Sequence, residues 1–156
     1  MKTSFYFLLC TVVFIIEGCT PLTLRPADFS WPTDIVATPD SSGTIQLMRY
    51  KIAFNSKPLL FEELKDSTHV TKYTLHVIRD QNGYYFITAK DFKSVYVFVQ
   101  GEGVLKLEKK ITVSDKRLEA PGFNQKGSFI QLVNEQKENE PSLLLSNDGI
   151  QEGEKK

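Results

Sequence analysis

The sequence predicts an all-β fold, a small antiparallel β-sandwich or barrel of about six to eight strands behind an N-terminal signal peptide and a Pro-rich tether. Three observations carry that expectation. Short runs rich in β-branched and aromatic residues recur from Gln46 to Glu135, tight turn signals separate them, and no helical period is sustained along the chain. The 156 residues are 41% hydrophobic, enough for one globular core. The 19 Lys and Arg are balanced by 19 Asp and Glu, so the uniform positive field of a nucleic-acid binder is missing. Two cysteines are too few for a disulfide framework or a cysteine-rich zinc module.

In chain order, the first element is Met1-Lys2-Thr3-Ser4 followed by an apolar run from Phe5 to Ile16. One positive charge ahead of a short apolar stretch has the layout of a secretory signal peptide. As a helix the run spans ~18 Å, well short of the ~30 Å hydrocarbon core of a bilayer. Glu17 then ends it. An Ala-x-Ala-like cleavage site is absent; Ile16-Glu17-Gly18-Cys19 stands in its place. This tetrapeptide resembles the lipobox of bacterial lipoproteins, an aliphatic residue and two mostly small residues before a cysteine. Ile16, Gly18 and Cys19 match that pattern, while Glu17 departs from it. The resemblance covers residues 1–19 only. It implies cleavage before Cys19, acyl chains such as palmitate on that cysteine, and loss of Cys10 with the signal peptide. Each buried methylene contributes about 0.8 kcal/mol, so two or more chains hold firmly without an amphipathic helix. Thr20, where an Asp would imply inner-membrane retention, implies the outer membrane, with the domain on its periplasmic side.

From Thr20 to Gly43 the composition turns to Pro, Thr, Ser and Asp, with Pro21, Pro26, Pro32 and Pro39 along it. Such a stretch favours extended backbone. Phe29 and Trp31 stand out there, either pinning the tether's end to the domain or offering an aromatic contact to a partner. The chain thus divides into a signal peptide (1–18), a tether (19–43), a β domain (44–135) and an acidic C-terminal tail (136–156). Within the last part, Leu143-Leu144-Leu145 is apolar enough to dock as a final strand.

The β domain opens with alternation from Gln46 to Phe54; Ser56 to Lys65 is ambiguous, with Pro58 near a start and Leu60 and Leu64 at four-residue spacing allowing a short helix. Tyr73–Arg79 and Tyr84–Ala89 flank Asp80-Gln81-Asn82-Gly83, and Asn-Gly between alternating runs is a strong hairpin signal. Strands are also expected over Val95–Gln100, Val104–Val113 and Ser128–Glu135. A two-residue or four-residue hairpin loop places Thr74, His76 and Ile78 on one face with Tyr85, Ile87 and Ala89. Tyr73, Leu75 and Val77 then share the other face with Tyr84, Phe86 and Thr88. Both faces carry large apolar groups, and Tyr96 and Phe98 continue the pattern. A two-layer sandwich buries only one face of each sheet. The second face therefore needs a cover: the Pro58 segment, the Phe29–Trp31 end of the tether, or another molecule. In the last case Tyr84, Phe86, Tyr96 and Phe98 form a partner or ligand surface.

Catalytic motifs do not emerge. His69 and His76 fall on opposite faces if one strand carries both, so a shared metal is not expected, and His76 reads as a packed core or semi-core residue. There is no Gly-x-Ser-x-Gly elbow, Walker loop or His-Glu-x-x-His. Glu62 and Glu63 are adjacent and are expected to point apart. The function expected is that of a lipid-anchored envelope lipoprotein with a non-catalytic β domain that binds or scaffolds other envelope components, with no cofactor and no nucleic acid. The alternatives are a β-barrel holding a small apolar or aromatic ligand, or a hydrolase acting on envelope glycans.

Overall fold

A computed structural model describes residues 32–102, 104–134 and 142–151. Its centre is an antiparallel meander built from the alternating runs: β4 (Leu75–Arg79), β5 (Tyr84–Ala89), β6 (Ser94–Gln100) and β7 (Leu105–Thr112). A short strand, β1 (Ile35–Ala37), pairs with the outer edge of β4 and completes a five-stranded sheet in the order β1-β4-β5-β6-β7. Both faces of β4, β5 and most of β6 are buried, and each face has its own cover, while β7 is largely exposed. Over one face lie the hairpin β2 (Thr44–Leu47) and β3 (Ile52–Asn55), with the helix α1 (Lys57–Leu64) behind it. Over the other lies a second sheet of β8 (Pro121–Lys126), β9 (Phe129–Asn134), β10 (Leu143–Ser146) and β11 (Gly149–Gln151), in the order β11-β10-β9-β8. The result is an open sandwich with a third, partial layer, and not a closed barrel.

The two cores follow from side-chain alternation in β4 to β6. Leu75, Val77, Tyr85 and Ile87 face the hairpin and helix, packing with Ile45, Leu47 and Leu60. Ile78, Phe86, Val95 and Val97 face the second sheet, where Phe123, Ile130, Leu132 and Leu145 meet them. Thr88, wholly buried, satisfies its hydroxyl by donating to the Ser94 carbonyl at 3.0 Å. Of the covers considered, the Pro58 segment is the one found, joined by the β2–β3 hairpin; Phe29 and Trp31 lie outside the described residues.

The hairpin register differs from expectation by one residue. Arg79 pairs with Tyr85 and Ile78 with Phe86, so the loop is the three-residue Gln81-Asn82-Gly83. The Asp80 amide donates to the Tyr84 carbonyl at 2.9 Å, and Gly83 takes φ +94°, as in a type I turn followed by a left-handed bulge residue. The Asp80 carboxylate accepts from the Tyr84 amide at 2.8 Å and braces the turn. A one-residue slip exchanges the faces. His76 and Ile78 therefore share a face with Phe86 and Thr88, while Leu75 and Val77 join Tyr85, Ile87 and Ala89.

The folded unit also runs past the expected 44–135 at both ends. β1 falls within the expected tether, and β10 and β11 fall within the expected acidic tail. Strands of three or four residues are too short to register as alternation, but β1 and β11 complete sheet edges, and β10 lies between β11 and β9 with Leu145 fully buried. Helix α1 has Pro58 in its first turn, where no amide partner is needed, and ends at Lys65 in the left-handed region. Ser56, buried just ahead of it, donates to the Gly43 carbonyl at 2.9 Å. That contact requires glycine at 43: φ is +88°, and a Cβ would lie 2.9 Å from Lys57 Cγ.

Removing a ring from the middle of a sheet buried on both sides leaves a cavity that neither cover can fill. Phe86→Ala is expected to cost about 3–5 kcal/mol, whereas Phe61→Ala on the outer surface of α1 should change stability by no more than ~0.5 kcal/mol. Urea unfolding of both variants measures the difference.

Candidate functional site

The covers of the two faces are unequal, and the candidate site lies where the smaller one stops. Hairpin and helix shield β4, β5 and part of β6 but leave an open cleft of about 580 Å³ beside β7. Phe54, Pro58 and Leu59 form one wall, Phe98, Leu105 and Leu107 the other, and Ile87 lies at the floor. A register irregularity between Val97 and Phe98, where β6 pairs with β7, falls along the second wall. Val104 and Leu107 stand on the rim, each 54% exposed. A second hollow of about 600 Å³, beside Asp34 and His76, is lined by Lys72, Lys90, Asp91 and Glu119 and lacks this apolar character.

Of the ring residues expected to share a surface, the structure brings only two together. Tyr96 and Phe98 line the cleft. Phe86 is fully buried between the two sheets and Tyr84 is half-buried against the same core, so neither lines the cleft. The cause is the β5–β6 pairing, which sets Ile87 opposite Tyr96 and Phe86 opposite Val97. Cys19, Phe29 and Trp31 lie outside the described residues.

One end of the cleft is charged, and its geometry centres on Glu63. This side chain is only 5% exposed, and its carboxylate accepts from the Lys93 amide at 2.9 Å and from the Tyr96 hydroxyl at 2.8 Å. Lys110 on β7 reaches Glu63 at 3.3 Å and Glu62 at 3.0 Å, and its ammonium lies 5.3 Å from the centre of the Tyr96 ring. Glu62 and Glu63 thus converge on one cation. They leave α1 in different directions, but Lys110 lies within reach of both long side chains.

The protonation states of this network are well separated from neutral pH. Burial works to raise the pKa of Glu63, but the Lys93 amide and the Tyr96, Ser94 and Lys110 hydrogen bonds outweigh it and hold the group below the ordinary carboxylate range. The hydrogen bond from Lys110 lowers Glu62 as well. Burial pushes the Tyr96 phenol well above its usual value. Desolvation works against the charged form of Lys110, yet hydrogen bonds to Tyr96, Glu62 and Glu63 raise its pKa overall. At pH 7 the site therefore holds two carboxylates, one ammonium and one neutral phenol. None of them is poised to exchange a proton there.

The two histidines are placed apart and differently. His69 precedes the 3-10 turn Val70–Lys72, and its Nδ1 lies 3.1 Å from Asp66, which also accepts from the Thr68 amide at 2.8 Å. His76 on β4 is half-buried, with Nδ1 2.8 Å from Asp34 Oδ2, and the Phe123 amide donates to that same oxygen at 3.2 Å. Asp34 thus ties the edge of one sheet to β8 of the other. Its part is invisible in sequence because it lies in the Pro-rich stretch. Among the described residues, no three or more of His, Cys, Asp and Glu are grouped to hold a metal ion. Also among them, no helix is long and apolar enough to cross a membrane.

No protein-family model matches the chain, and no curated protein or solved structure matches it at a significant level.

Glu63 links α1 to β6 and β7, so its loss should be felt in stability. Glu63→Gln is expected to cost about 1.5–3 kcal/mol at neutral pH, the range for hydrogen bonds to a charged group. Because folding lowers this pKa, the ionised group's contribution is complete above the unfolded value of about 4.3 and disappears as pH falls through the folded value. Chemical denaturation between pH ~5 and ~3 should therefore show a shallower acid loss in the variant than in the parent. Part of the slope remains, since Asp66 and Asp40 are lowered too, by hydrogen bonds from Thr68 and Ser42 respectively.

Proposed function

We propose that this chain is a lipid-anchored lipoprotein of the bacterial cell envelope whose β domain is a non-catalytic binding module. In this reading the acyl chains on Cys19 hold it to the outer membrane, and the domain faces the periplasm. The observation that carries the binding role is the apolar cleft beside β7, whose ionisable lining residues Glu62, Tyr96 and Lys110 each keep one protonation state around neutral pH. A site of that kind is suited to hold a molecule rather than to transform one. The exposed rim residue Leu107 favours a partner that covers the cleft as well as filling it, and an envelope protein fits that description.

A second reading is favoured by size. A cleft of about 580 Å³ falls within the range of small-molecule sites, roughly 300–1,000 Å³, so a small apolar or aromatic ligand is the alternative occupant.

Anchoring is tested by feeding cells an alkyne-bearing palmitate analogue. The chain should be labelled, and Cys19→Ala should abolish the label and release the protein from the membrane fraction; an unlabelled parent chain would overturn the anchor. For the cleft, a photo-crosslinking residue at Leu107 should capture an envelope protein in intact cells. Leu107→Glu places a charge on an exposed rim position, so it should keep the parent's melting transition and lose capture. A small molecule retained in native mass spectrometry, with no protein captured, transfers the assignment to the second reading. Neither capture nor retention removes the cleft from the function.

A further inference from the structure

The end of the domain at which the chain arrives from Cys19 is identifiable from contacts. Thr33 accepts a hydrogen bond from Arg49 Nη1 at 3.2 Å, so the first described residues lie against the tip of the β2–β3 hairpin. That tip, Met48 to Lys51, also meets Arg79, whose guanidinium lies 6.0 Å from the Tyr50 ring centre. Arg79 is the last residue of β4. The pairing of Arg79 with Tyr85, Tyr84 with Val99 and Gln100 with Leu105 puts the turn before Val104 at this same end of the sheet. Lys51, Ile52, Gln100 and Val104 line one small hollow that joins the two tips.

Two apolar side chains project here. Met48 is 82% exposed, and Val104 at the neighbouring turn is also largely exposed. Arg49, Lys51 and Arg79 lie beside them, against the exposed carboxylate of Glu102; Asp80 is buried, with its carboxylate turned onto the Tyr84 amide. Phe61, the exposed ring on α1, belongs elsewhere: Glu63, two residues on, binds the amide of Lys93 at the opposite end of β6.

We propose that this end of the domain is a bilayer-contact surface. Met48 and Val104 enter the headgroup region, and Lys51 meets anionic lipid headgroups. The proposal rests on the anchored reading above, because what selects a membrane as occupant is the distance to Cys19. About 13 residues separate Cys19 from Pro32, a span of at most ~45 Å when fully stretched. A tether that short keeps the arriving end of the domain close to the bilayer. Partly buried apolar side chains combined with basic residues are how peripheral surfaces hold to anionic membranes.

The test uses the full, processed chain reconstituted in vesicles of phosphatidylethanolamine and phosphatidylglycerol, with acylation of Cys19 checked by mass spectrometry. With Cys10 removed and Cys19 acylated, a cysteine introduced by Met48→Cys is the single reactive thiol; Phe61→Cys is the control. An environment-sensitive dye at position 48 should shift to the blue and be quenched by lipid-borne quenchers, while the dye at position 61 stays in water. Equal responses at both positions, or a response only at 61, overturn the proposal. An unmodified Cys19 refutes the anchored reading separately. The surface is then judged by sedimentation of the full chain with the same vesicles, where Met48→Ser/Val104→Ser should weaken binding on the order of tenfold. Equal sedimentation of parent and variant, or none by either, overturns it on that arm too.

Discussion

Everything in this fold depends on a central sheet that is apolar on both sides. β4, β5 and β6 alternate large hydrophobic groups with other large hydrophobic groups, so no arrangement of two layers could bury them all. The chain answers with two covers of different kinds. Towards Phe86 and Val97 it supplies a second sheet whose inward residues interleave with the first. Towards Tyr85 and Ile87 it supplies a hairpin and a helix of two turns, a smaller lid assembled from pieces. The cleft beside β7 follows from that inequality and needs no separate explanation.

Much of this was legible in the amino-acid order, and the parts that were not have physical reasons. The apolar character of both faces can be read from residues 75–79, 84–89 and 95–99, and with it the need for a second cover. The parity of the hairpin cannot. Pairing Ile78 with Phe86, or shifting by one, leaves both faces equally apolar, so the hydrophobic pattern is silent about register. Asn82-Gly83 suits loops of two or three residues alike, and only the bracing of Asp80 against Tyr84 distinguishes them. Likewise β1 and β11 are too brief to show a period and exist because a neighbouring strand offers them an unpaired edge, whereas β10 showed in the sequence as the apolar run Leu143-Leu144-Leu145.

The candidate site was half visible for a similar reason. Tyr96 and Phe98 announce themselves as rings on a strand, but Glu63 and Lys110 are unremarkable charges in sequence, 47 positions apart by their numbering. Their meeting is a tertiary event, produced when α1 lies across the start of β6. Once there, Glu63 is committed to the Lys93 amide, the Tyr96 hydroxyl and the Lys110 ammonium together. A buried carboxylate is costly unless its lone pairs are met, and here three donors meet them. The same group therefore fastens the lid and sets the polarity of the cleft's end. Helix position and cleft shape cannot be altered independently, because both run through this one carboxylate.

A second carboxylate clamp lies at the β1 edge of the central sheet, where it meets β8. β1 pairs with β4 over only three residues, Ile35 to Ala37, which by itself would fray. Asp34, immediately before it, receives the Phe123 amide and holds His76, so the first turn of described chain is bonded to both sheets at once. On the anchored reading, any pull from the membrane arrives at this point. The load then falls on a carboxylate shared between two sheets instead of peeling β1 from its edge one hydrogen bond at a time. An edge strand this short gains its place from that fastening as much as from its own pairing.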